Sequence, residues 1–149
     1  MKDVIKSVLT ETFEGIEEGS PSRFVESRAE TGIFGTLRSI NASQASVDIN
    51  GTTIAAHAHH TMYHTDVCCN NLEGKDQDVN WHVSWEISKV NEEEWFEIKR
   101  GIETQYHRLL ALIDESAFET FDRHVIQGSL SHSAYHLGAM RQMIKGVSR

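Results

Sequence analysis

One register of apolar residues constrains the fold more than anything else in the chain. Trp95, Ile98, Ile102, Tyr106, Leu109 and Ile113 recur at three- and four-residue spacing. That is one face of an α-helix held over about five turns. Asn91 followed by Glu94 is a capping-box-like start for it. A stripe this long must be covered by other apolar faces.

Three further segments carry such faces. Residues 3–18 place Val4, Val8, Thr12 and Ile16 four apart, with Ile5, Leu9 and Phe13 beside them. Gly19-Ser20-Pro21 ends that helix, because Gly suits the position after a helix and Ser-Pro begins a new turn. Gly51-Thr52 opens a helix running to about Leu72, with Thr52 as its N-cap and Gly74 where a stop is expected. A last helix runs from about Ser129 to Lys145, closed by Gly146. Gly138 lies inside it at a cost of about 1 kcal/mol relative to Ala, which close approach of another backbone explains.

Between these, "TGIFGTLRSI" reads as a short helix carrying Ile33, Phe34, Leu37 and Ile40, and "NASQASVDINGT" as a turn-rich connection. In "WHVSWEI" the residues Trp81, Val83, Trp85 and Ile87 alternate with polar ones. Period two predicts an extended segment, and no second strand of that quality exists to pair with it. The expectation is an extended loop that lays two tryptophans over the helices. With one proline and no long Gly/Ser linker, residues 1–149 read as a single all-α domain, a four-helix bundle with short connecting pieces.

Charge and cysteine content narrow the partners. The net charge is -8, from 22 acidic and 14 basic residues, so no basic patch predicts a nucleic-acid or anionic-membrane partner. The nine histidines add positive charge only below about pH 6.5. No run approaches the roughly 20 apolar residues of a membrane span. "MKDVIKSVLTETFEGIEE" is amphipathic and acidic, unlike a signal peptide. Cys68 and Cys69 are adjacent and form no disulfide framework, so a reducing, cytoplasmic location is expected.

Four histidines crowd into "HAHHTMYH", residues 57–64. On a helical wheel at about 100° per residue, His57, His60 and His64 fall within about 60° of one another. Ile54, Val67 and Leu72 flank the same arc, so it faces the core; Cys68 continues it, and His59 points to solvent with Asp66. In "SLSHSAYHLGAMRQM", His132 and His136 stand i, i+4 on one face, the spacing by which a helix supplies two metal ligands. Buried neutral imidazoles each need a partner, and a shared cation serves several at once. The residues therefore point to a metal site made of one or more of His57, His60 and His64 together with His132 and His136. His107 lies off the stripe of its helix, and His82 and His124 fall in expected loops. No Glu stands three residues before any His, so the paired Glu-x-x-His motifs of a di-iron bundle are absent.

"TTIAAHAHH" followed by "HSAYHLGAMRQM", with "NW", "SW" and "EEEW" between them, resembles the DinB-like family of bacterial proteins. The order of elements agrees along nearly the whole chain, and the two histidine segments are its specific part. The resemblance implies an up-down-down-up four-helix bundle holding a divalent metal, nickel or zinc, on three histidines. Carried over, the ligands are His60, His132 and His136. His57 and His64 depart from the pattern, which needs one inward histidine on that helix; they are candidates for a supporting or proton-transfer role. The resemblance also implies a possible homodimer and a small-molecule substrate.

Three neutral histidines with coordination positions left open is a catalytic arrangement. Such a cation ionises a bound water or thiol near neutral pH. The resemblance implies thiol S-transfer: a low-molecular-weight thiol, ionised at the metal, attacks an electrophile, and His57 or His64 accepts its proton. Two other readings are a non-enzymatic metal-binding module of a stress response and a metal-dependent hydrolase. The substrate-lining residues are expected in the 73–91 loop, around Trp81 and Trp85. Cys68 as nucleophile is the weaker alternative, since a buried thiol is usually inert. Arg141 is expected to be a solvated surface residue rather than a contact to an acidic cofactor.

Overall fold

A computed structural model describes residues 1–147. Among them the chain is helical: α1 (Lys2–Glu14), α2 (Ile33–Arg38), α3 (Ala42–Ala45), α4 (Ile54–Leu72), α5 (Glu92–Glu115) and α6 (Thr120–Val147). Among the described residues no strand forms, and a single isolated bridge pairs Ile49 with Thr52. Among the described residues no helix is long and apolar enough to cross a membrane.

The α5 stripe is buried as its spacing requires: Trp95, Ile98, Ile102, Tyr106, Leu109 and Ile113 all face the core. Each such side chain contributes about 1.5–3 kcal/mol by leaving water. Asn91 and Glu94 make the reciprocal capping box. The Trp95 indole N–H donates to the Ile40 carbonyl across 3.3 Å, tying α5 to the end of α2. Phe13 of α1 stacks on Tyr106 at 4.7 Å, and the Tyr106 hydroxyl donates to Glu14. α4 lies against both α5 and α6. Arg108 crosses from α5 to α4, reaching Asp66, Asn70 and Glu73.

Four expectations about element boundaries are corrected. α1 stops at Glu14, not near residue 18, because Gly15 turns to φ 83° and its N–H caps the Glu11 carbonyl. Gly32 passes so close there that a Cβ on it would lie 2.4 Å from the Gly15 nitrogen. The N-cap of α4 is Thr53, whose hydroxyl accepts from the Ala56 N–H, rather than Thr52. The connection after α2 contains α3, closed by a capping box between Asn41 and Gln44. α6 begins at Thr120, nine residues before Ser129, so His124 is a helical residue on its exposed side and not a loop residue. Ile126 and Ser129 are buried along this added stretch, and their packing outweighs the propensity cost of Gly128.

Two further corrections bear on the site. The segment 81–87 is not extended: Val83–Trp85 forms a 3-10 turn. Its alternation arises because Ser84 alone is buried, while Trp81, Val83 and Trp85 stay on the outside. Gly138 is not a close-approach position, since nothing lies within 4 Å of a Cβ built on it.

Candidate metal centre

α4 and α6 lie side by side, and their histidine faces meet. The His60 and His132 Nε2 atoms are 3.0 Å apart, and those of His132 and His136 are 3.1 Å apart. One ring nitrogen from each of the three lies within 4.8 Å of the others, a cluster that can hold a metal ion. Around a tetrahedral zinc with bonds of about 2.0–2.1 Å, neighbouring ligand atoms sit about 3.3 Å apart. The His60–His132 and His132–His136 separations are close to that spacing.

Each of the three rings has a support of its own. The Ser84 hydroxyl donates to the Trp81 carbonyl at 2.6 Å, and a carbonyl can only accept. The hydroxyl therefore has no proton left for His60, whose Nδ1 lies 2.7 Å away and must be the donor. In neutral His60 this leaves Nε2 as a bare lone pair aimed at His132. The same ring lies flat on Trp85, centroids 4.1 Å apart. His136 has its Nδ1 2.9 Å from His57 Nδ1. When His136 uses Nε2 as a ligand, its Nδ1–H donates to His57, the kind of contact that orients a metal-binding imidazole. The His132 ring is stacked face to face on His64, at 3.6 Å and 9°. Its own Nδ1 is buried with no hydrogen-bond partner. His132 is thus held by stacking, with no acceptor behind it at Nδ1; in the metal-free cluster its Nε2–H faces the bare His60 Nε2.

This accounts for the two surplus imidazoles. His57 touches His136, and His64 touches His132. The His64 Nδ1 also faces the Cys68 sulfur at 3.6 Å. His59 corrects its expected place in solvent: it is half-buried, and its Nδ1–H donates to the Ser84 carbonyl at 2.9 Å.

Burial keeps the cluster neutral. Desolvation pushes His60 and His64 down to about 4, with neighbouring imidazoles adding to the effect. It pushes His136 down to about 3 and His132 to about 2, again with the adjacent rings contributing. His57 is also lowered by burial. Neutral imidazole is the form that binds metal. The Cys68 thiol is driven the other way by burial, up to about 11, which makes it a poor nucleophile.

The rim is aromatic. Trp81 and Trp85 are 46% and 39% exposed, and Tyr135, 71% exposed, stands edge-on to His136. A cavity of about 690 Å³ lies elsewhere, between the 24–31 segment and α6, and is lined by none of the clustered histidines. A smaller one of about 310 Å³ borders the loop at Ile87, Lys89 and Val90 and includes His59. Arg141 is neither a solvated residue nor a free cationic anchor: it is half-buried and donates to Glu26 and to the Thr31 carbonyl.

Ser84 and Trp85 as supports of His60 were not legible in the sequence. A serine in a polar loop carries no spacing signal, and its role depends on where the loop lies. Comparisons with family models, curated proteins and solved structures return no match.

Proposed function

We propose that the chain is a metal-dependent enzyme of the DinB-like kind, most consistent with a thiol S-transferase. His60, His132 and His136 are its ligands for a divalent cation, nickel or zinc. The observation that carries this reading is the convergence of three neutral imidazoles, with His132 Nε2 3.0 Å from that of His60 and 3.1 Å from that of His136, two of the rings oriented from behind by Ser84 and His57. Such orientation is what a functional metal site requires beyond its ligands. Four long helices, α1, α4, α5 and α6, are the number such a bundle needs.

Bound there, a divalent cation lowers the pKa of a thiol, so that the thiolate is available as nucleophile near neutral pH. The chain's residues supply the rest. His57 is taken up by His136, so it orients that ring rather than serving as the base. His64 is the imidazole whose ring nitrogens no other histidine takes up; burial holds it at about 4, so it is suited to passing the thiol proton on rather than keeping it. Trp81, Trp85 and Tyr135 offer apolar faces beside the centre, suited to the electrophile's carbon skeleton.

The test is elemental analysis of the purified chain beside His60→Ala and His136→Ala, followed by a panel of small thiols with a chromogenic electrophile. About one equivalent of metal in wild type, lost in both variants, and metal-dependent thiol consumption are expected. Metal without turnover would assign the chain to the binding-module reading. Full metal retention in His60→Ala would overturn the ligand set.

A further inference from the structure

Ser84 sits at the crossing of two contacts that come from adjacent histidines of one helix. Its hydroxyl accepts from His60 Nδ1, and its carbonyl accepts from His59 Nδ1. It is completely buried, while Trp81, Val83 and Trp85 around it are exposed. The same hydroxyl donates to the Trp81 carbonyl, closing the turn that carries both tryptophans. Asn80 caps this turn by accepting from the His82 and Val83 N–H groups, and Tyr63 of α4 accepts from the Asn80 N–H.

The geometry points to Ser84 as a positioning residue that sets the tautomer of His60 and thereby links metal occupancy to the ordering of the tryptophan-bearing turn. The inference rests on the metal-centre reading of His60, His132 and His136. The proton positions follow one from another. The Trp81 carbonyl can only accept, so the Ser84 proton goes to it. His60 must then donate from Nδ1 and present Nε2 as a lone pair. A cation on Nε2 withdraws electron density from the ring and makes Nδ1–H a stronger donor. The hydrogen bond to Ser84 tightens, and Ser84 is the one side chain of this turn that is fully inside. By linkage, whatever orders the turn must raise metal affinity by the same factor. His59 supports the arrangement without touching the cluster, because it grips the Ser84 backbone and leaves the hydroxyl free for His60.

The experiment uses the full chain and zinc as the probe, with three readouts: zinc affinity by chelator competition, the His60 tautomer by ¹⁵N NMR of the metal-free form, and hydrogen exchange of the Trp85 and Glu86 amides with and without zinc. Wild type is expected to show His60 protonated at Nδ1 and slower exchange at both amides on loading. Ser84→Ala is expected to bind zinc about 10- to 100-fold more weakly and to lose the single tautomer. Ser84→Thr, which keeps the hydroxyl, is expected to restore the tautomer and most of the affinity. A merely structural role would change stability and leave the His60 tautomer as it is. Ser84→Ala that binds zinc as wild type does, or exchange that is unchanged on loading, overturns the inference alone. Wild-type chain that binds no zinc or nickel overturns the metal centre, and this inference with it.

Discussion

Take the metal-free chain from pH 7.0 to pH 5.0 and unfold it in urea at both. In the unfolded chain a histidine titrates near 6.5, whereas His60 and His64 are held at about 4, His136 at about 3 and His132 at about 2. Above pH 6.5 neither state is protonated, and these rings add no pH dependence. As the pH falls below 6.5 the unfolded chain gains protons that the folded cluster refuses, so stability is lost through the window from 6.5 down to about 4. At pH 5.0 each unfolded histidine lies 1.5 units below its pKa, so each contributes at most about 2 kcal/mol of destabilisation. Four rings give a ceiling of about 8 kcal/mol, and roughly half of that if the folded site relaxes or admits water. Either figure is large beside a total stability of about 5–15 kcal/mol. The expected result is a fall of roughly 4–8 kcal/mol, with about four protons taken up on unfolding near pH 5. His64→Phe keeps a ring to stack on His132 and should lower the uptake by one. Glu11, Glu26 and Glu73, whose carboxyls are held below their ordinary 4.5, add only a minor loss at pH 5.0, because unfolded carboxylates are still mostly ionised there. A loss under about 1 kcal/mol, or uptake of a single proton, would refute the picture of a neutral, water-poor cluster.

Zinc at 100 times its dissociation constant should stabilise the chain by about 2.7 kcal/mol, a rise in melting temperature of roughly 5–10 °C that His132→Ala abolishes. His57→Ala removes the acceptor behind His136 and is expected to weaken zinc binding about 10- to 100-fold in a chelator competition while leaving about one equivalent bound at saturation. Gly138→Ala, with open space around the new Cβ, should stabilise α6 by about 1 kcal/mol in urea denaturation. Trp95→Ala empties the largest fully buried side chain of the core and is expected to cost about 3–5 kcal/mol by the same measurement.

Much of the frame was legible because helical burial is periodic. The α5 stripe and its Asn91–Glu94 box are determined within a few turns of chain, and the structure reproduces both. The same holds for the inward arc of α4: His57 and His60 are buried and His64 is half-buried, as the wheel requires. Boundaries fared worse where a distant segment decided them. α1 ends at Gly15 because Gly32 crosses beside it. α6 extends back to Thr120 because Ile126 and Ser129 find cover there.

The tryptophan segment shows the limit most clearly. Period two in "WHVSWEI" is a local signal, but a single residue inside and its neighbours outside produce the same alternation in a 3-10 turn. The sequence by itself determined a helical chain, the faces of its long helices, and two histidine rows with ligand spacing. Only the tertiary structure decided which nitrogens meet. Helical periodicity sets the direction of a side chain to within an arc, whereas a hydrogen bond or a metal bond requires a position accurate to tenths of an ångström. That accuracy depends on how α4, α6 and the turn at Ser84 lie against one another. The roles of His57, His59 and Ser84 exist only in that arrangement.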